Sequence, residues 1–251
     1  MKLLVATRSP GKMREIRRIL AAVPGLTVLD LDEAGLAPEL AEEELEPYDT
    51  FEANALSKAR HFFERSGLPT VADDSGIEVD ALDGAPGVRS KRFSLEAVAA
   101  ADPVRGVDET ADPPRGETGA LAGRALDDAN NRHLVRLLQG VPPDRRTARY
   151  VCVAALIVAD DEPLVVRGEA AGVVVDEPRG SGGFGYDPHV YETGLGKTFA
   201  EMSAEEKDVR SHRGDAFRKL AARLTRRLAA AEDPRSVAAG PVTGRDRGEG
   251  P

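Results

Sequence analysis

The run from Thr147 to Ala159 is the longest stretch of β-type residues in the chain, and it limits the fold more than any other. It is apolar without a break from Tyr150 to Ala159, which predicts a central strand. Asp160-Asp161-Glu162 then predicts a turn, with Leu164 to Arg167 pairing back as a hairpin. A second short apolar run, Pro69 to Ala72, reads as a buried strand that presents Asp73 and Asp74 at its end and stops at Ser75 and Gly76. Two adjacent carboxylates are costly unless something positive lies nearby. A hard divalent cation such as magnesium suits them, since magnesium commonly pairs one or two carboxylates with substrate phosphates. A surface turn fits the same residues, because Asp, Ser and Gly also favour turns.

Near the N-terminus, Leu3 to Ala6 predicts a strand and Thr7-Arg8-Ser9-Pro10-Gly11-Lys12 a polar loop. A helix follows, with Met13, Ile16, Ile19 and Leu20 at helical spacing. Strand, small-residue loop and helix start form the arrangement in which backbone N–H groups and the helix dipole hold a phosphate, and Lys12 adds a charge. The motif is no P-loop: the leading glycine is missing and Met13 follows the lysine. An ordinary strand-to-helix connection also fits. Glu39 to Glu46 predicts a mostly solvated acidic face. Asp49-Thr50-Phe51-Glu52 has the form of a capping box, starting a helix from Thr50 to Arg65 that Gly67 stops. Asn54 and Lys58 share one face of that helix, and by spacing alone Lys58 is a surface lysine.

Beyond the acids, Ile77 to Val79 predicts a strand followed by two turns. Ser94 to Asp128, poor in large apolar residues, predicts a mobile insertion with a short helix at Leu95 to Ala101. Ala129 to Leu138 predicts a helix capped by Gly140. Val173 to Asp176 predicts a further strand, feeding Gly180-Ser181-Gly182-Gly183-Phe184-Gly185-Tyr186-Asp187-Pro188. Its glycines match a dinucleotide fingerprint only formally, since no helix opens after Pro188. They allow close backbone approach around two aromatics, so that a planar ligand stacks on Phe184 or Tyr186, or the two rings fill a core. Ser203-Ala204-Glu205-Glu206 is a capping box for a short helix carrying Lys207. Ser211 caps the last helix, whose apolar stripe is Phe217, Leu220, Ala221, Leu224 and Leu228. His212 and Arg213 fall in its first turn, where cations oppose the dipole unless a ligand or an acid compensates. Beyond Glu232 the composition predicts a disordered tail.

With 251 residues the chain is long enough for one large domain or two lobes sharing a cleft. Its net charge of −9 argues against a general nucleic-acid binder. No apolar run approaches the roughly 20 residues of a membrane span. The first residues are too short for a signal sequence, which points to a cytosolic protein. The one cysteine, Cys152, lies in an apolar run and reads as a buried, inert thiol.

Five blocks in order resemble the inosine triphosphate pyrophosphatases, which hydrolyse non-standard purine nucleoside triphosphates. They are Ala6 to Lys12, Thr50 to Ala59, Ala72 to Val88, Gly182 to Pro188, and Ala200 to Gly214. The resemblance runs from Lys2 to about Leu224. It implies an α/β fold, a long mixed sheet with flanking helices, whose two lobes (residues 1–231, before a tail at 232–251) enclose a cleft, usually in a homodimer. It also implies hydrolysis of ITP, dITP or XTP to the monophosphate and pyrophosphate. Glu46 and Asp74 resemble the magnesium ligands, with Asp74 also the proton acceptor, and Lys12 and Lys58 share the catalytic work. Thr7, Arg8, Ser9, Pro10, Gly11, Lys12 and Lys58 resemble the triphosphate grip. Ser75, Phe184, Gly185, Tyr186, Asp187, Lys207, His212 and Arg213 resemble the nucleoside site. Arg213, a pure donor, suits a 6-keto oxygen and opposes the 6-amino group of adenine. Ser9 stands where the family usually has Asn and Tyr48 where Gly is common, and the Ser94–Asp128 segment is longer than the family's connection. Two other functions use the same residues: a phosphatase with Asp73 or Asp74 as covalent nucleophile, and a nucleotide-binding module without turnover.

Overall fold

The run opening at Thr147 does form the central strand. In the computed structural model, which describes residues 1–95, 117–159 and 161–232, one mixed sheet holds seven strands. These are β1 (Lys2–Val5), β2 (Thr27–Leu29), β3 (Thr70–Val79), β4 (Thr147–Ile157), β5 (Leu164–Val174), β6 (Val190–Glu192) and β7 (Lys197–Thr198). Their order across the sheet is β2-β1-β3-β4-β5-β6-β7. The first three are parallel and the rest antiparallel. The helices α1 (Pro10–Leu20), α2 (Phe51–Ser66), α3 (Glu117–Leu137), α4 (Ala204–Arg210) and α5 (His212–Glu232) flank it.

Side chains alternate across a strand, so β3 divides its residues between two faces. Val71 packs with α1 and α5, and Ala72 packs with α2. Ile77 and Val79, on the same face as Val71, join a third cluster with Leu134 of α3, Leu138 just beyond it, Tyr150 and Phe199. The first and third clusters take opposite ends of β3 on one face of the sheet. Between them lies a polar row. β1 pairs with β3 only at Leu4↔Thr70 and Val5↔Val71, so past Val71 the edge of β3 opens toward the segment leading into α1.

Four expectations are corrected. Ser75 and Gly76 do not end a strand, because β3 continues through them, registered with β4 from Thr70↔Ile157 to Val79↔Ala148. Gly76 is needed there for closeness, since a Cβ would overlap the Gly87 carbonyl and Ser90 Oγ. The strands expected at Leu164–Arg167 and Val173–Asp176 are one, β5, and Gly168 in its middle lets α5 press close, since a Cβ would overlap the His212 carbonyl and the Ala216 amide. α3 begins at Glu117, so residues 117–128 are helical and not part of an extended insertion. Pro10, Gly11 and Lys12 lie within the first turn of α1, with Ser9 as its N-cap, and not in a loop. The helix expected at Leu95–Ala101 and the tail after Glu232 lie outside the described residues, apart from Leu95.

The last helix opens with a buried cation, Arg213, in its first turn and still forms. Phe217, Leu220 and Leu224 are fully buried, each worth about 1.5–3 kcal/mol. That exceeds the roughly 0.3–1 kcal/mol by which a misplaced cation opposes the dipole. The Ser211 hydroxyl accepts from the Gly214 N–H at 3.0 Å and completes the cap.

Candidate active site

The site forms where β1 ends and β3 runs on. Asp73 points to the face of α1 and α5. Its Oδ2 lies 3.0 Å from Lys12 Nζ in the first turn of α1 and 3.4 Å from Arg213 Nε and Nη2. The carboxylate is only 1% exposed. Burial alone would raise its pKa, but Lys12, then Arg213 and Lys58, hold it well below the usual carboxylate range. Asp73 thus stays ionised at pH values where an ordinary carboxylate has begun to take up its proton.

Asp74 points to the opposite face, against α2. Asn54 Nδ2 donates to its Oδ2 at 3.0 Å, and Lys58 Nζ lies 3.8 Å from its Oδ1. The same ammonium donates to Glu46 Oε1 and to the Asp73 carbonyl, each at 2.5 Å. Lys58 is therefore no surface residue; its side chain is 11% exposed. Burial, and next to it the like charge of Glu46, raise the Asp74 pKa against the opposing pull of Lys58. Glu46 moves the other way: burial would raise it, and Lys58 brings it below the ordinary value. Two neighbouring carboxylates with opposite shifts are a common signature of acid–base assignment.

The N-terminus of α1 leaves the Gly11 N–H without an intrahelical partner, while Ser9 Oγ accepts from the Lys12 N–H at 3.4 Å. Ser9 thus serves as cap in place of the family's Asn. Thr7 Oγ1 accepts from the Ser9 N–H at 3.2 Å. Arg8 turns elsewhere: its guanidinium forks onto Glu42 and reaches Asp32. Glu42, from the expected solvated face, is partly buried in that pairing and also meets Arg65. Tyr48, in place of Gly, keeps an ordinary backbone, and its N–H and C=O are both paired with Asn54.

The aromatics divide. Tyr186 is 6% exposed and its hydroxyl donates to the Ser90 carbonyl at 2.7 Å, so it is a core residue and not a stacking platform. Phe184 is 39% exposed. Its ring fills the space above Gly11, where any Cβ would lie 2.9 Å from it, and the Arg213 guanidinium sits 5.7 Å from its centroid. Asp187 is buried and collects Lys207 Nζ at 2.5 Å, the Tyr150 hydroxyl at 3.1 Å and the Phe184 N–H at 3.2 Å. His212 stacks on Tyr150 at 4.7 Å and 14°, and its Nδ1 is buried without a partner. Burial first, then Arg213, lowers its pKa well below the ordinary value. Arg213 also donates to Glu15 Oε2 and Ser75 Oγ, each at 2.8 Å, so four of its five N–H donors are engaged. The acids expected to offset the basic pair are thereby identified as Asp73 and Glu15.

Contacts thus link Lys12, Asp73, Ser75 and Arg213 on one side of β3, Glu46, Lys58 and Asp74 on the other, and Phe184, Asp187 and Lys207 beside Arg213, while the side chains of Arg8 and Tyr186 are directed elsewhere. Glu15, Tyr150, Asp127 and Asn131 belong to the same assembly without being part of the sequence motifs. Tyr150 had a signal, a polar-tipped ring within a strand otherwise apolar to Ala159. Asp127 and Asn131 had one too: they stand four apart, on one helical face.

The fold is that of the Ham1 family, whose model matches residues 3–117 and 115–223. The chain belongs to that family. A dITP/XTP pyrophosphatase of Anaeromyxobacter sp. (strain Fw109-5) is 46% identical over 230 residues, 90% of this chain and 97% of the relative. One from Frankia alni is 44% identical over 224 residues, 89% of this chain and 97% of the relative. Among solved structures, a HAM1 protein from Coxiella burnetii superposes with a TM-score of 0.69 at 30% identity, over 90% of this chain and 99% of that one. A nucleoside-triphosphatase / dITP/XTP pyrophosphatase from Mycobacterium abscessus gives 0.59 at 36% identity, over 92% and 99%.

Proposed function

We propose that this protein hydrolyses non-standard purine nucleoside triphosphates, dITP, XTP and ITP, to the monophosphate and pyrophosphate, and so clears them from the nucleotide pool. The observation that carries it is the convergence of Lys12 and Lys58 on two adjacent acids, Lys12 on Asp73 and Lys58 beside Asp74, in a chain whose relatives bear the name dITP/XTP pyrophosphatase. A triphosphate competes with those carboxylates for both ammonium groups, and catalysis is then mostly charge neutralisation and placement. Asp74, its proton affinity raised, is the acceptor for the attacking water's proton. Asn54 fixes its orientation.

Glu46 and Asp74 fit a magnesium ion. No cluster of three or more His, Cys, Asp or Glu suited to a metal occurs among the described residues. Glu46 and Asp74 both lie beside Lys58, and a carboxylate pair is the number magnesium takes when phosphates complete its shell. Burial raises Asp74 most, and the like charge of Glu46 that adds to it is the kind of conflict a divalent cation relieves. When bound, magnesium supplies positive charge to the phosphate oxygens. The nucleoside end falls to Phe184, Lys207, His212 and Arg213. The family resemblance supports a homodimer. No described helix is long and apolar enough to cross a membrane.

Comparing kcat/KM for dITP, XTP, ITP and ATP in the presence of magnesium tests the proposal. Preference for the 6-keto substrates by orders of magnitude is expected; equal turnover of ATP rules it out.

A further inference from the structure

α3 holds the Phe184 turn from behind. The Gly185 N–H donates to Asp127 Oδ2 at 2.8 Å, and the Gly185 carbonyl accepts from Asn131 Nδ2 at 2.9 Å. These two side chains sit one helical turn apart, so a single face of α3 grips the peptide planes on both sides of one residue. Gly185 has φ 63°, a left-handed conformation that leaves glycine many alternatives. Something outside the turn must select one of them. The residue before Asn131, Asn130, is buried and binds the adjoining segment: its Oδ1 accepts from the Ser94 N–H at 2.8 Å and its Nδ2 donates to the Lys91 carbonyl at 3.1 Å. Asn130 and Asn131 are thus buried and Asp127 is partly buried, though Asn and Asp are among the poorer helix formers. Their use lies in what they hold.

We propose that Asp127 and Asn131 are positioning residues that set the place of the Phe184 ring, and through it the affinity for the purine. The inference rests on the nucleotide function proposed above. Phe184 is a half-exposed aromatic whose position comes from its backbone: Asp187 takes its N–H, and Asp127 and Asn131 take both polar groups of Gly185. With α3 let go, the ring leaves the slot above Gly11 and beneath Arg213. No group that meets the phosphates or the acids is touched.

The test compares Asp127→Ala, Asp127→Asn and Asn131→Ala with the unaltered protein by two measurements. Hydrogen exchange of the Gly185 amide in free protein should quicken about tenfold in Asp127→Ala and return toward the original rate in Asp127→Asn, which keeps an acceptor oxygen. KM for dITP should rise about tenfold in both alanine variants with kcat within about twofold, and recover in Asp127→Asn. Unchanged exchange, equal behaviour of Asp127→Ala and Asp127→Asn, or a fall in kcat at constant KM each overturns the proposal. If the unaltered protein fails to turn over dITP, the proposed function is what fails, while the exchange measurement still judges the clamp.

Discussion

Asp73 and Asp74 are adjacent in β3, yet the pleat sends one to the face of α1 and α5 and the other to the face of α2. On the first face an acid is surrounded by cations and held ionised. On the second, an acid shares one lysine with another carboxylate and binds its proton more tightly than usual. The first arrangement suits a fixed counterion, the second a group that exchanges protons or meets a metal. Identical side chains in neighbouring positions acquire different chemistry from what the strand presents them to.

Four substitutions or titrations can break that contrast. The largest effect is expected from Asp74→Asn: kcat for dITP falls by about 10²–10⁴-fold, while calorimetry finds the fold at least as stable, since a strained charge is removed. Next comes Asp73→Asn, which leaves Lys12 and Arg213 facing a neutral group; denaturant unfolding should show a loss of about 3 kcal/mol. The sign with pH follows, because Asp73 titrates lower folded than unfolded. Its stabilisation is present above about pH 4 and lost as the pH falls, and Asp73→Asn should flatten that acid limb. Gly168→Ala comes third: a Cβ there meets the backbone of α5 at His212 and Ala216. Overpacking should cost about 1–3 kcal/mol and raise KM for dITP by displacing His212 and Arg213. The smallest effect belongs to His212. Its folded pKa lies well below the ordinary 6.5, so its contribution is complete above that pH and lost as pH falls below it. His212→Asn should make the stability curve between pH 7 and 5 shallower, as measured by thermal unfolding.

Much of the fold was legible because periodicity was strong. Thr147–Ile157 announces itself by its unbroken apolar run, and α2 by the Thr50 cap and Gly67 stop. What misled was residues with two uses. Ser75-Gly76 looks like a turn, and only the Gly87 carbonyl packed against Gly76 shows why a glycine belongs inside a strand. Gly168 split β5 in two for the same reason. Residues 117–128 looked too poor in apolar side chains for a helix, yet Asp127 earns its place through Gly185. At the site, the motifs named Lys12, Lys58, Asp74, Lys207 and Arg213, all of which converge. They could not tell Phe184 from Tyr186, because what separates them is Ser90, nearly a hundred positions away in sequence. Nor could they show that Asp73 and Asp74 face opposite ways, because Ser75-Gly76 reads as a stop and only the continued pairing of β3 with β4 fixes the pleat.

The most direct test of the proposed activity is hydrolysis of dITP in ¹⁸O-labelled water with magnesium, followed by mass analysis of both products. Attack on the α-phosphorus with Asp74 as proton acceptor predicts the label in the deoxynucleoside monophosphate and none in pyrophosphate. Release of orthophosphate, or label carried by the pyrophosphate, would contradict it.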